Sequence, residues 1–393
     1  MGSGDLAFDG LLVTGPLGVV ATVVLFIVVL GGLVLIHELG HFVMARLAGI
    51  RVLEFGIGFP PRAKVLRSSG ETLYTLNWLP IGGFVKLEGE DGDENNDPRS
   101  FARARLPVKV IILVAGVVMN LLLSLVIFTS IAWLAAPVVG VTIPVVEPGS
   151  PAEAAGLKAN DAIVSVNGIR HDIFSLATGD VIEDLRDRVG QTVTLQVIHP
   201  GGQRVDIPVT LRTADQMKDP DGAGPLKAKG ALGISVLDPK VGWPSFFPGD
   251  YLQRDLPTAI GVGTHETTRW FGVILGGLGD LGRQIVTNPT AAPPVSGPIG
   301  IATQISDIFF GAGIVMTLYV AGILSANLAL VNILPFPPLD GGRVLMLVLK
   351  RIFGARISLR AEQMTYFVGF VFLFAFLIWV SGFDIVRILS GGS

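Results

Sequence analysis

From Leu17 to Ile36 the chain carries no charged residue, and the run ends in His37-Glu38-Leu39-Gly40-His41. No other stretch constrains the fold as strongly. At about 1.5 Å per residue, a helix of this length crosses roughly the 30 Å hydrocarbon core of a bilayer. Residues four apart share one face of a helix, so the two imidazoles can take one Zn²⁺, with Glu38 beside the remaining coordination position. In a soluble helix the same letters could be a surface His-Glu-His. At the end of a membrane-length helix, ionisable groups are costly and point to function.

Composition agrees with a membrane protein. Of 393 residues, 50% are hydrophobic and 16% charged, with a mean hydropathy of +0.62. A soluble domain carries about a quarter charged residues. A net charge of −3 argues against a nucleic-acid partner, and the absence of cysteine excludes disulfides and thiolate ligands. The first apolar run is too long for a cleaved signal peptide and reads as a retained helix.

Four spans are expected, at about Leu17–Ala48, Val108–Ala136, Gly313–Leu334 and Thr365–Ile388. Arg46, Arg51, Arg62, Lys64, Arg67, Lys86, Arg99, Arg103, Arg105 and Lys109 follow the first span, which marks that side as cytoplasmic. Within this stretch, Val52–Phe59 and Thr72–Trp78 read as strands around a Ser68-Ser69-Gly70 turn, and Gly82–Leu87 as a third apolar piece. A small membrane-associated sheet follows, and its edge at Gly82, Gly83, Phe84 and Val85 suits pairing with an extended peptide. A plain hairpin loop is the alternative. Glu88–Asp97 reads as a solvated acidic loop. Asn120 in the second span suits a bond to a neighbouring helix, or faces the site.

Residues 141–212 change character to short strands and turns. Val145 to Leu157 and Asp161 to Gly168 resemble a bacterial PDZ domain, whose groove takes a peptide strand. His171 and His199 read as surface or loop residues. Thr213–Leu256 reads as a linker with a strand candidate at Ala231–Leu237, and Thr258–Val286 as an amphipathic helix on the membrane or flanking the PDZ domain. His265-Glu266-Thr267-Thr268-Arg269 mimics the metal motif but ends in Arg. Pro335, Pro337 and Pro338 break the third span just before Asp340. Irregular backbone at membrane depth survives only against protein or a wet cavity, which presents Asp340 as a third metal ligand. Arg343, Lys350 and Arg351 put it on the same side as the HExxH.

HELGH in a first membrane helix, with Asn332-Ile333-Leu334-Pro335-Phe336-Pro337-Pro338-Leu339-Asp340-Gly341 in a later one, resembles the site-2 protease family of intramembrane zinc proteases. The single PDZ and the Ser296–Gly300 run look like its bacterial RseP-like branch. The resemblance implies a polytopic α-helical membrane protein with a small β-sheet and an extracytoplasmic PDZ domain. His37, His41 and Asp340 would hold Zn²⁺, Glu38 would be the catalytic acid/base, and Asn332 would hold substrate backbone, with helix–helix bonding as its alternative. The implied substrates are transmembrane proteins or peptides, such as anti-sigma factors or signal-peptide remnants, in the inner membrane of a bacterium. The termini and the PDZ domain would face outward and the active site the cytoplasm. The expected organisation is 1–136 for the first two spans and β region, 141–212 PDZ, 213–292 linker and amphipathic helix, and 293–393 the last two spans. Two other classes stay open. A membrane zinc protein without peptidase activity would not need Glu38, and a PDZ membrane scaffold would need no zinc.

Overall fold

A computed structural model describes residues 15–68, 70–90, 97–177, 181–217, 230–235, 244–288, 292–293, 295–354 and 357–389. In chain order the elements are α1 (Pro16–Leu47), β1 (Val52–Arg67), β2 (Leu73–Leu87), α2 (Leu106–Leu134), β3 (Ala136–Thr142), β4 (Val145–Val146), β5 (Ala162–Val166) and β6 (Ile169–Asp172). They continue with α3 (Val181–Asp187), β7 (Thr192–Ile198), β8 (Arg204–Thr210), β9 (Ile234–Ser235), β10 (Pro244–Leu252), α4 (Leu256–Thr287), α5 (Pro298–Ile333), α6 (Asp340–Phe353) and α7 (Leu359–Leu389). Ser69 of the expected turn, 91–96 of the acidic loop and 218–229 and 236–243 of the expected linker lie outside the described residues.

The chain forms two units. One takes the chain up to Thr129 and again from Gly263, and the other takes Ser130–Val262. Four helices, α1, α2, α5 and α7, are long and apolar enough to cross a membrane. Their bounds differ from the expected spans by a few residues, except that α5 begins at Pro298. Gly313, with φ +81°, breaks its helical path, so the expected third span is the part of α5 after the break.

The end of α1 fixes where the metal motif stands. Gly49 takes φ +73°, its N–H reaches the Arg46 carbonyl at 3.1 Å, and the Ile50 N–H reaches Ala45 at 2.9 Å. These two bonds satisfy carbonyls that a helix terminus otherwise leaves open. The chain then turns into β1 two turns after the histidines.

The three strand pieces read from sequence are two long strands. Glu54, Phe55, Gly56 and Ile57 face Lys86, Val85, Phe84 and Gly83 on one side and Leu73, Tyr74, Thr75 and Leu76 on the other. Arg62, Lys64, Val65 and Arg67 pair in turn with Asn77, Leu76, Thr75 and Tyr74. The hairpin therefore lies as four runs, with 83–87 on an outer edge. Phe42 on α1 anchors it, its ring centroid 5.3 Å from Phe55 and 6.2 Å from Tyr74.

The Ser130–Val262 unit is built on a six-stranded sheet ordered β10-β3-β6-β5-β7-β8. Ile143, Ile163, Leu195, Val197 and Leu211 fill its core. Two of its strands, β3 and β10, extend the sheet beyond the 141–212 stretch on either side. His199 bonds Asp161 at 2.7 Å, and His171 lies 3.6 Å from Asp184.

Helix α4 carries a buried ion pair on the face that meets α5. Its Glu266, fully buried, pairs with Arg269 at 2.7 Å, and Arg269 also donates to the Tyr319 hydroxyl of α5 at 3.1 Å. Thr267 meets Ser124 of α2 at 3.5 Å. A buried carboxylate needs such partners, so the false HExxH serves to bind α4 to its neighbours.

The N-terminus of α5 has no cap of its own, and α7 supplies one. Asp384, buried, accepts the N–H groups of Gly297 at 3.2 Å and Gly300 at 2.9 Å. A side-chain cap of this kind is worth about 1–2 kcal/mol. Asp384→Ala should lower the thermal midpoint followed by tryptophan fluorescence in detergent, with Asp384→Asn falling between it and the parent. An unchanged midpoint in the alanine variant would show that the cap contributes nothing.

Candidate metal centre

One helical turn separates His37 from His41, and their Nε2 atoms lie 3.1 Å apart. Asp340 Oδ2 comes to 2.9 Å from His37 Nε2 and 3.3 Å from His41 Nε2. Asp340 is the first residue of α6, placed there by the break after Ile333. Bonds from Phe336 N–H to the Leu334 carbonyl (2.7 Å) and from Leu339 N–H to Phe336 (2.9 Å) shape the turn.

These three side chains fit a metal ion. Their donor atoms all lie within 4.8 Å of one another. Tetrahedral zinc with ligands at about 2.0–2.1 Å places those ligands about 3.3 Å apart. The third wall is Gly116 of α2. A methyl built there would stand 2.6 Å from His41 Nε2 and 2.7 Å from His37 Nε2, so its absence leaves the space between the nitrogens open.

Both imidazoles are tethered to α2 on their far sides. His41 Nδ1 donates to the Ile112 carbonyl at 2.8 Å, and His37 Nδ1 lies 3.2 Å from the Asn120 amide. Asn120 thus reaches the centre directly, where its sequence position left open a purely interhelical bond. Its amide, the one such side chain in this apolar helix, was the available signal.

A cleft of about 70 Å³ opens beside the centre, lined by Glu38, His41, Val85, Asp340 and Arg343 among others. Glu38 is half-buried. The outer run of β2 passes close by, for a methyl on Gly83 would lie 3.5 Å from Glu38 Cγ. The Phe84 ring lies over Gly56, and Gly82 sits beside the Phe59 ring. Asn332 is half-buried in the last turn of α5 and, like Phe84, is not part of the described cleft lining. Two acids of the expected solvated loop turn inward. Glu88 is buried near Arg51, and Glu90 forms an ion pair with Arg343 at the cleft wall.

Known proteins share this sequence over nearly its whole length. A Geobacillus kaustophilus protein named zinc metalloprotease RasP is 28% identical across 93% of this chain and 98% of its own. A Clostridium acetobutylicum protein, provisionally named a zinc metalloprotease, is 31% identical across 93% of this chain and 97% of its own. A Nostoc relative with the same kind of provisional name is 31% identical across 88% and 91%. The profile of Peptidase family M50 matches residues 25–376, from within α1 to within α7. The chain belongs to Peptidase family M50 and is a zinc metalloprotease of membrane type.

Proposed function

We propose that the protein is an intramembrane peptidase that cuts transmembrane segments of other proteins, with His37, His41 and Asp340 as its zinc ligands and Glu38 as its acid/base. The support is one convergence: three donor atoms from α1 and α6 meet at 2.9–3.3 Å beside Glu38 and an open sheet edge. Zinc, when bound, polarises the scissile carbonyl and makes water acidic near neutral pH. Glu38 takes a proton from the attacking water and returns it to the leaving amine. The histidines and Asp340 hold the ion and leave the cleft side open for substrate.

Glu38→Gln keeps the shape of the side chain and removes the proton acceptor. It should retain one zinc per chain and lose cleavage of a helical membrane substrate in detergent, whereas Asp340→Ala should lose the metal itself. Cleavage by the glutamine variant near the parental rate would assign the proton transfer elsewhere. Undiminished zinc in Asp340→Ala would remove Asp340 from the site. An inactive zinc binder would show no cleavage even in the parent while still losing its zinc in Asp340→Ala.

A peptide bond within a helix has its carbonyl engaged, so the substrate has to unwind before hydrolysis. Gly82, Gly83, Phe84 and Val85 give the extended stretch a backbone to pair with, and Asn332 bonds it further along. Segments with Gly near the cut unwind at lower cost than Leu-rich ones. Faster cleavage of Gly-containing substrates is expected, together with at least a tenfold loss in Val85→Pro with zinc retained. Equal rates across the substrates, or a fully active proline variant, would end this capture mechanism.

By its sequence resemblance, the stretch 141–212 is a PDZ domain on the outer face of a bacterial inner membrane, with the chain termini on that side too. An apolar pocket of about 70 Å³ between α3 and residues 230–234, walled by Ile182, Leu185, Ala231 and Leu232, supports a peptide groove. Its role is to filter substrates by their outer domains, among them anti-sigma-factor-like proteins or signal-peptide remnants. Gln253 bonds the Leu134 carbonyl at 3.1 Å, so a short linker can replace 136–252. That deletion should spare cleavage of trimmed substrates and admit untrimmed ones. Continued rejection of untrimmed substrates by a folded, zinc-loaded deletion would contradict the filter.

A further inference from the structure

The two histidines differ in what stands behind them. His41 Nδ1 faces the Ile112 carbonyl at 2.8 Å, and a carbonyl can only accept. His41 therefore carries its proton on Nδ1 and offers the Nε2 lone pair toward Asp340 and His37. His37 Nδ1 faces the side-chain amide of Asn120 at 3.2 Å, and an amide can donate or accept depending on which end is turned inward. The two ends are nearly indistinguishable in shape and are assigned from the bonds around them.

The proton on the imidazole chooses the end. Asn120 is fully buried, and its Oδ1 has no hydrogen-bond partner with the amide nitrogen turned to His37. Moreover, His37 Nε2 points at Asp340 Oδ2 and His41 Nε2, the atoms that frame the metal position. A ligand at Nε2 needs that nitrogen bare, which puts the ring proton on Nδ1. A proton there would confront the amide NH₂ donor to donor. Turned about, the amide gives its orphan oxygen to that proton.

We propose that Asn120 is a positioning residue of the metal centre, whose Oδ1 accepts the Nδ1 proton of His37 and so fixes the ligating tautomer. One face of α2 then carries the whole backing of both imidazoles. Ile112 supplies a carbonyl for His41, Gly116 leaves room for the ion, and Asn120 supplies an oxygen for His37, each four residues from the last. The Ser325 hydroxyl of α5 bonds the Asn120 carbonyl at 2.8 Å and holds this part of α2 in register. Asparagine does this without adding a charge inside the bundle, where an unpaired carboxylate is costly.

The inference rests on His37 as a zinc ligand, and the test separates the two. Zinc affinity is measured by chelator competition on the full chain in detergent for the parent, His37→Ala, Asn120→Leu, Asn120→Asp and Ser124→Ala. Outer-shell bonds of this kind are worth about 10–100-fold in metal affinity. Asn120→Leu, similar in volume and suited to a membrane helix, should weaken zinc binding by that factor. Asn120→Asp keeps the acceptor and removes the donor, and should bind within about threefold of the parent. Ser124→Ala, one turn along the same face, should match the parent. Parental affinity in Asn120→Leu overturns the proposal, as does an Asp variant as weak as the Leu variant, which would make the NH₂ the working group. Parental affinity in His37→Ala would instead overturn the ligand assignment beneath it.

Discussion

Ionisable side chains inside a bundle of membrane-length helices are tolerated only when each has something to hold. His37, His41 and Asp340 solve this together, within 3.3 Å of one another, and much of the remaining architecture follows from the need to bring them there. Helix α1 has to carry its motif near its C-terminal end and stop soon after, which the paired bonds at Gly49 and Ile50 achieve. The third span, α5, has to end in a break so that a carboxylate can turn inward. Helix α2 has to come close enough to back the rings, and Gly116 permits that approach. The same rule explains Glu266 and Asp384, both buried, one satisfied by Arg269 and the other by backbone N–H groups.

Hydrolysis also needs an extended peptide, and a bilayer offers none. In the capture mechanism proposed above, the hairpin of β1 and β2 resolves that conflict, because the outer run of β2 passes beside the cleft with Gly83 close to Glu38. Because Phe42 follows His41 by one residue and packs on Phe55 and Tyr74, the helix that carries the metal motif also sets the position of the sheet. The proposed catalytic and recognition surfaces are thus fixed by one short stretch of chain.

The local parts of this arrangement were legible in the sequence. The histidine pair is an i, i+4 pattern on a single helix, the four apolar runs announce themselves by length, and the prolines before Asp340 mark the break. What depended on distant partners was not legible. The folding of each hairpin strand back across its neighbour is a matter of register, so three pieces were expected where two long strands stand. The partner that Glu266 and Arg269 of α4 share is equally hidden, because Tyr319 lies about fifty residues on. Glu90 looks like one acid among many, and only Arg343 turns it inward. Asn120 could be singled out, but which way its amide faces is a property of the imidazole next to it.

One consequence lies in the order in which the chain is made. The donor atoms of His37 and Asp340 are separated by 303 positions in sequence. With both as ligands, the ion acts as a clasp between the first membrane helix and the last part of the bundle. It closes a loop that contains the whole intervening unit. Closing so long a loop has an entropic cost that grows only slowly with its length, so the separation is affordable once the helices are in the bilayer. A nascent chain that has delivered only its first helices holds the two imidazoles without the Asp340 carboxylate. The cutting centre therefore comes into existence late in synthesis, after nearly all of the protein that surrounds it.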